Sequence, residues 1–249
     1  MSNPNGIILW EGVSAIDGKT PVVAIATGLR RKTKNEKLSK KGSKVIQIWY
    51  LLQNVSPVDA VKTGEDVAVC GDCKHRPTKD NSCYVITFQA PLAVYKAYKR
   101  GSYAHWNGDT SIFKGRTVRF GAWGDPATVP VGTFDGIREE ASKVMAYTHQ
   151  WEKPRFAGLR AWAMASVDSA REKSRAALIG YRTFRVRHES EALTENERQC
   201  PAADESAISA RMDCESCGGC DGLIKGAKRP SYSLIVHGRT STNFITKEA

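Results

Sequence analysis

Thr117-Val-Arg-Phe-Gly-Ala-Trp123 is a run of β-forming residues, and helix-forming residues separate it from a second run, Val144-Met-Ala-Tyr-Thr148. The alternation continues with Ala161-Trp-Ala-Met-Ala-Ser-Val167, a helical segment from 170 to 179, and Arg182-Thr-Phe-Arg-Val186. Strands that alternate with helices pair in parallel through right-handed crossovers. The stretch therefore predicts an α/β fold, a partial (β/α) barrel of about six parallel strands.

Two β-rich runs precede this region, Pro21-Val-Val-Ala-Ile-Ala-Thr27 and Val45-Ile-Gln-Ile-Trp-Tyr-Leu-Leu52. They predict an N-terminal β-hairpin with a long, mobile tip. Ser56 before Pro57 is typical of a helix start. Tyr84-Val-Ile-Thr-Phe88 predicts a further strand.

The chain divides into three segments by the character of its sequence. We expect residues 1–69 to form the hairpin and first helix, and residues 70–188 to form a metal loop and the barrel core. Residues 189–249 are polar and cysteine-rich, and they predict a metal-binding segment that ends in a strand near Tyr232 to Val236.

The 249 residues carry a net charge of +11, and the excess of positive charge is concentrated in the tip of the hairpin. Such a cluster attracts a phosphate backbone through counterion release, or it merely keeps a solvated loop soluble. The cations that we predict to contact nucleic acid are Arg30, Arg31, Lys32, Lys34, Lys37, Lys40, Lys41 and Lys44.

The composition excludes whole-chain disorder, since 41% of the residues are hydrophobic. No apolar run approaches the roughly 20 residues that a membrane-spanning helix needs, and no signal peptide is evident. We expect a soluble, cytoplasmic protein without a membrane partner. The sequence leaves the oligomeric state open.

All seven cysteines fall into two groups. Cys214, Cys217 and Cys220 form a C-x2-C-x2-C run, and Cys200 before Pro201 is available as a fourth ligand. Four thiolates suit either tetrahedral zinc or an iron–sulfur cluster. The odd number of cysteines and the two-residue spacings argue against disulfides.

The first group comprises Cys70, Cys73 and Cys83, with His75 close by in the sequence. Three cysteines can hold an iron–sulfur cluster with one iron open to a ligand, whereas His75 would complete a closed zinc site. An open site implies chemistry, and a closed site implies a structural role.

Polar residues follow the predicted strands at their carboxyl ends, where parallel sheets place functional groups. Asp125 follows the first strand, His149 the second, and Asp168 the third. Asp125 and Asp168 also have structural explanations, because Asp125 precedes Pro126 in a turn and Asp168 lies at the start of a helix.

The order of these features resembles the radical S-adenosylmethionine superfamily, whose partial barrels follow a three-cysteine cluster loop. Gly121-Ala-Trp-Gly124-Asp125-Pro126 is similar to the family's turn that contacts the methionyl amine of the cofactor. Ser166-Val-Asp168-Ser169 is similar to the family's fourth-strand end. The cysteine spacing differs, because the family has C-x3-C-x2-C and this chain has C-x2-C-x9-C. The overall pattern is also similar to uncharacterised cysteine-rich phage proteins, which implies a host cytoplasm as its location.

The resemblance implies an iron–sulfur enzyme that uses S-adenosylmethionine and acts on a nucleic acid or nucleotide. Gly121, Gly124, Asp125 and Ser166 would bind the cofactor, and His149, Asp168 and Arg119 would orient substrate or move protons.

Two alternatives remain open. In one, Cys214, Cys217, Cys220 and His237 resemble the zinc site of tRNA-guanine transglycosylases, and Asp125 and Asp168 act as nucleophile and base. In the other, the protein is no enzyme, and zinc at both cysteine groups staples a nucleic-acid-binding fold.

Overall fold

The computed structural model describes residues 5–31, 36–42, 45–226 and 228–244. Ten strands form a single mixed sheet with the order β4-β1-β2-β3-β5-β6-β7-β8-β10-β9. Their bounds are β1 Gly6–Val13, β2 Pro21–Thr27, β3 Ile46–Leu52, β4 Ala104–His105, β5 Thr117–Trp123, β6 Lys143–Thr148, β7 Met164–Val167, β8 Thr183–Arg187, β9 Glu197–Gln199 and β10 Ser231–Ile235.

One side of the sheet is an antiparallel meander in which β2 pairs with both β1 and β3. This confirms the predicted hairpin. The rest of the sheet is parallel from β3 through β5, β6, β7, β8 and β10 to β9. The α/β class with a mostly parallel sheet is therefore correct, and strands from all three sequence segments belong to this one sheet.

The helices are short and connect the strands. Ser56 accepts a hydrogen bond from the Asp59 amide at the start of α1, as its position before Pro57 predicts. The α-helices are α1 Pro57–Thr63, α2 Val67–Cys70, α3 Ala90–Lys99, α4 Asp135–Glu140, α5 Ala170–Leu178 and α6 Cys214–Cys217, and 3₁₀ turns occupy Thr110–Phe113, Pro126–Thr128, Pro154–Ala161 and Ser241–Asn243.

The predicted strand from Tyr84 to Phe88 is wrong, because these residues do not pair with any strand. They run in an irregular conformation from the first cysteine group to α3. Tyr84, Ile86 and Phe88 are exposed. Their alternating pattern produces a strand only where a neighbouring edge is available for pairing.

The largest apolar cluster packs on β2, β3 and β5, and it includes Ile25, Tyr50 and Phe120. Within the part of the chain that the structure describes, no helix is long and apolar enough to cross a membrane.

Candidate active site and cysteine groups

The carboxyl ends of β5, β6 and β7 bring together Asp125, His149 and Asp168. The Asp125 Oδ2 accepts a hydrogen bond of 2.7 Å from the His149 amide. One ring nitrogen of His149 lies within 4.8 Å of ligand atoms of both Asp168 and His75. Three residues that are far apart in sequence therefore lie on one rim of the sheet.

His75 joins this rim from the first cysteine loop. Its Nε2 lies 2.9 Å from Asp168 Oδ1, and its Nδ1 lies 2.7 Å from Ser82 Oγ. The Phe244 ring stacks on the imidazole with centroids 5.8 Å apart. The sequence identified His75 as an alternative cysteine-site ligand, but its carboxylate partner lies 93 residues away and had no local signal.

Asp125 has a structural role as well as a position on the rim. Its Oδ1 accepts from the Ala127 amide at 2.9 Å, so each carboxylate oxygen already holds a backbone N–H. Burial raises the pKa of this carboxyl to about 6, although the hydrogen bonds from Ala127 and His149 oppose the shift.

His149 is a neutral imidazole at physiological pH. Burial lowers its pKa to about 4, against the opposing attraction of Asp168. Its Nε2 is buried and, within the described ranges, has no hydrogen-bond partner.

The first cysteine loop packs directly against the turn that ends β5. The Asp125 amide donates to the Val69 carbonyl at 2.7 Å, and Thr128 Oγ1 donates to the same carbonyl at 3.1 Å. Val69 immediately precedes Cys70. The predicted proximity of the cysteine loop and the Gly-Asp-Pro turn is therefore a feature of the fold.

A buried ion pair organises this loop. Arg76 donates to both oxygens of Asp66, at 2.8 and 2.7 Å, and its guanidinium also reaches the Gly64 carbonyl at 2.8 Å. No sequence pattern indicated this pair, because an arginine among loop cations carries no signal of its own burial.

The three thiols of the first group influence one another. Burial raises the pKa of Cys70 and of Cys73 well above the ordinary value, and repulsion from neighbouring cysteines adds to both shifts. Burial also raises the pKa of Cys83. A bound cation reverses this preference, since coordination deprotonates a thiol.

The remaining cofactor candidates are tightly packed. Gly121 and Gly124 have φ of +81° and +84°, a region that favours glycine. A Cβ on Gly124 would lie 2.7 Å from the Tyr50 Cβ. Ser166 lies in β7, where its carbonyl accepts from the Trp151 indole at 3.0 Å.

The second cysteine group lines a cavity beside the sheet. Cys200, Cys214, Cys217 and Cys220 all border it, together with Met145, Tyr147 and Tyr232. Burial raises the pKa of Cys200 to about 11 and that of Cys220 well above its ordinary value. All seven cysteines of the chain are free.

Arg182 anchors the loop that carries Cys217 and Cys220. The guanidinium is buried, forms an ion pair of 2.8 Å with Asp221, and donates to the carbonyls of Gly219 and Gly222 at 3.0 and 2.6 Å. No sequence pattern indicated this interaction.

The hairpin tip is docked on the second group over its described part. The Cys214 amide donates to the Lys37 carbonyl at 2.9 Å, the Lys40 amide donates to Asp213 Oδ2 at 2.6 Å, and Ser39 Oγ donates to Glu215 Oε2 at 2.6 Å. Residues 37–40 of the tip therefore contact the second cysteine group, and the expected mobility of the tip stays a prediction.

The predicted nucleic-acid contacts lie partly within the described chain. Five of these cations are exposed, and the other three lie outside the described residues. The exposed ones are Arg30, Arg31, Lys37, Lys40 and Lys41, and the others are Lys32, Lys34 and Lys44.

Arg119 and His237 lie away from the rim. Arg119 donates to the Tyr84 hydroxyl at 2.8 Å and interacts electrostatically with Cys214, so it lies between the two cysteine groups. The His237 ring packs on Tyr84 with centroids 5.4 Å apart, and His237 is not among the residues that line the second group's cavity.

A single metal ion needs its ligand atoms close together. Among the described residues, neither cysteine group brings three sulfurs within 4.8 Å of one another, whereas His75, His149 and Asp168 meet this limit. Sulfurs around one tetrahedral zinc lie about 3.8 Å apart. Neither group therefore has the spacing of a preformed zinc site.

Comparisons with protein-family models, curated proteins and solved structures find no match to this chain. The resemblance to the radical S-adenosylmethionine superfamily stays a prediction that rests on the residues quoted for it.

Proposed function

We propose that this protein is an iron–sulfur enzyme of the radical S-adenosylmethionine-like kind, possessing a partial barrel and acting on a nucleic acid or nucleotide. Cys70, Cys73 and Cys83 would hold the catalytic cluster. The observation that carries the proposal is the hydrogen bond of 2.7 Å from the Asp125 amide to the carbonyl of Val69, which fixes the cysteine loop at the carboxyl end of β5.

The chemistry of the donor set supports iron over zinc. Three free thiols surround the first site, and their spacing is wider than the edge of a single-ion tetrahedron. An iron–sulfur cluster distributes its ligands over several metal atoms, so it accepts a wider set of thiolates. When bound with one iron open, such a cluster supplies single-electron chemistry to a ligand held at that iron.

The protein's own residues would position the ligand. The turn from Gly121 to Asp125 would provide a rigid wall, because Gly124 allows close packing on Tyr50 of β3 and Gly121 allows close approach of the Gly124 carbonyl. Asp125, His149 and Asp168 form a polar rim next to the cysteine loop, and Cys73 interacts electrostatically with both carboxylates. The polar methionyl end of S-adenosylmethionine would suit a site lined by this turn and these polar side chains.

The second cysteine group would hold a structural metal. It borders a cavity away from the rim, and its loop is fixed by the buried Arg182–Asp221 pair. Its role would be to hold residues 200–222 and the hairpin tip against the sheet.

The test uses protein prepared without oxygen and reconstituted with iron and sulfide. We expect visible charge-transfer absorption, and we expect dithionite to drive reductive cleavage of S-adenosylmethionine, measured by chromatography. Cys73→Ser should abolish cleavage, because it removes a ligand of the catalytic cluster. Cys217→Ser is the matched control, since it removes a thiol of the second group and should retain cleavage in the folded fraction.

Protein that binds zinc at both groups, stays colourless and leaves S-adenosylmethionine intact would contradict the proposal. That result favours the second candidate function, a zinc-stapled nucleic-acid-binding protein. The docking of the hairpin tip on the second cysteine group supports this candidate, because a structural metal there would hold Lys40 and Lys41 on an ordered surface.

Binding to nucleic acid is common to both candidates. Lys41→Ala should weaken binding to a single-stranded oligonucleotide and reduce the slope of log affinity against log salt by about one unit. Lys62→Ala, an exposed lysine on α1, is the matched control and should leave the slope unchanged. Equal slopes for both variants would place the nucleic acid elsewhere.

A further inference from the structure

The rim contains a compact cluster of two imidazoles and one carboxylate. His75 comes from the loop after α2, His149 follows β6, and Asp168 follows β7. Their ligand atoms all lie within 4.8 Å of one another, and no cysteine sulfur of the chain belongs to this set. Three separate segments of the fold therefore converge on one point.

The cluster is well shielded from solvent. Asp168 is 3% exposed and His75 is 9% exposed. The Phe244 ring covers one face of His75, and the His149 ring meets His75 edge-on with centroids 5.7 Å apart. Ligand atoms held in this way have fixed directions.

His149 provides the second and independent observation. Its Nε2 is buried without a hydrogen-bond partner among the described residues. A buried polar nitrogen left without a partner costs about 1–3 kcal/mol, so such atoms are rare unless a ligand satisfies them.

We propose that His75, His149 and Asp168 bind one divalent transition-metal ion of the zinc, iron or cobalt type. Two imidazoles and a carboxylate form a donor set typical of these ions, and it leaves coordination positions open. The 2.9 Å between His75 Nε2 and Asp168 Oδ1 fits two neighbouring ligands of an octahedral ion, because bonds of about 2.1 Å at right angles place adjacent ligand atoms about 3 Å apart. Tetrahedral coordination would require about 3.4 Å between the same two atoms.

The surroundings of the cluster match those of a metal site. Ser82 Oγ lies 2.7 Å from His75 Nδ1, and a hydrogen bond to the second ring nitrogen orients a histidine whose other nitrogen binds a metal. The Asp168 amide donates a hydrogen bond of 2.8 Å to Glu172 Oε2, and this bond fixes the backbone that carries the Asp168 carboxylate. Asp125 fixes the His149 backbone in the same way, at 2.7 Å.

No cysteine belongs to this ligand set, although Cys73 is near enough to interact electrostatically with Asp168. The assignment does not depend on the proposed function. The alternative explanation of the short His75–Asp168 contact is an ordinary hydrogen bond between a histidine and a carboxylate. That explanation leaves His149 Nε2 without a partner, and it predicts no metal dependence.

The test is a cobalt titration of full-length, metal-depleted protein, kept reduced and without oxygen. Cobalt bound by thiolates shows strong sulfur charge-transfer absorption, whereas cobalt bound by imidazole and carboxylate does not. We expect the wild type to bind one more equivalent of cobalt than His149→Ala, and we expect the difference spectrum to lack the sulfur band. His188→Ala, which removes a partly exposed histidine elsewhere, should bind as the wild type does.

Ser82→Ala provides a milder test that keeps all three ligands. It should weaken cobalt binding at this site by about 10–100-fold. Thermal unfolding without metal shows whether each variant is folded. Equal stoichiometry for wild type and folded His149→Ala would overturn the assignment, as would a sulfur band in the difference spectrum. Neither result tests the iron–sulfur cluster of the proposed function, because iron and sulfide content are measured separately.

Discussion

The two cysteine groups differ in their surroundings, and under the proposed function the first group would be catalytic and the second structural. The first group lies in a loop against the turn that ends β5, next to titratable side chains of the rim. The second group lies around a cavity, where the buried Arg182 and the basic loop hold it in place. Thiols of the same chemical type can therefore serve different ends in one chain.

Arg182→Ala should have the largest effect on stability and should act on the second group alone. It removes the more deeply buried of the two arginine partners of Asp221, and only Arg229 at 3.0 Å remains. Breaking a buried pair costs up to about 3–5 kcal/mol. Denaturant unfolding measures the loss. Arg175→Ala is the matched control, because its pair with Glu152 is exposed and is worth about 0.2–1 kcal/mol. Similar losses in the two variants would mean that Arg182 does not anchor this region.

Metal removal should distinguish the two groups by stability. At a free metal concentration of one hundred times the dissociation constant, binding stabilises the folded state by about 2.7 kcal/mol. We expect chelation to lower the melting temperature of Cys73→Ser by nearly as much as that of the wild type. Cys220→Ser should already have a low melting temperature and respond little to the chelator. The reverse ranking would assign the structural role to the first group.

Acidification should lower the free energy of unfolding by protonating Glu197, which lies in β9 close to the second cysteine group in sequence. This carboxyl is buried, and the hydrogen bonds from Arg185 and Thr194 outweigh its desolvation, so its pKa lies below the ordinary value of 4.5. Its stabilising contribution is fully present above pH 4.5 and is lost as the pH falls through the lowered folded-state pKa.

Glu197→Gln should therefore cost about 2 kcal/mol at neutral pH, the scale of hydrogen bonds to a charged group. The difference from the wild type should shrink as the solution is acidified. Unfolding measured from pH 7 down to pH 3 tests this, and a difference that stays constant across the range would contradict it.

The parallel core was predictable, because β5, β6, β7 and β8 are each strongly β-forming and are separated by helical or turn segments. No sequence pattern predicted β1, β4 or β9. Of these, Glu197–Gln199 is three residues long and polar, and it becomes a strand only because β10 offers an edge for pairing. Tyr84–Phe88 shows the converse, since it has the pattern and lacks the edge.

For the candidate site, the sequence predicted only which residues follow the carboxyl ends of the strands. The rule that parallel strands collect polar groups at their carboxyl ends identified Asp125, His149 and Asp168. It does not apply to Arg119, which lies within β5 and points away from the core face that Phe120 occupies, because successive side chains of a strand alternate. The meeting of His75 with Asp168 depends on how a loop folds back, which no local pattern encodes.

The docking of residues 37–40 on the second cysteine group makes those two parts of the molecule thermodynamically dependent on each other. If the second group binds the proposed metal and a polyanion prefers the docked tip, then metal occupancy at Cys214 must raise the affinity for the polyanion. The polyanion must then raise the affinity for the metal by the same factor. Depletion of metal would then lower the affinity for the polyanion, although the side chains that contact the polyanion are unchanged.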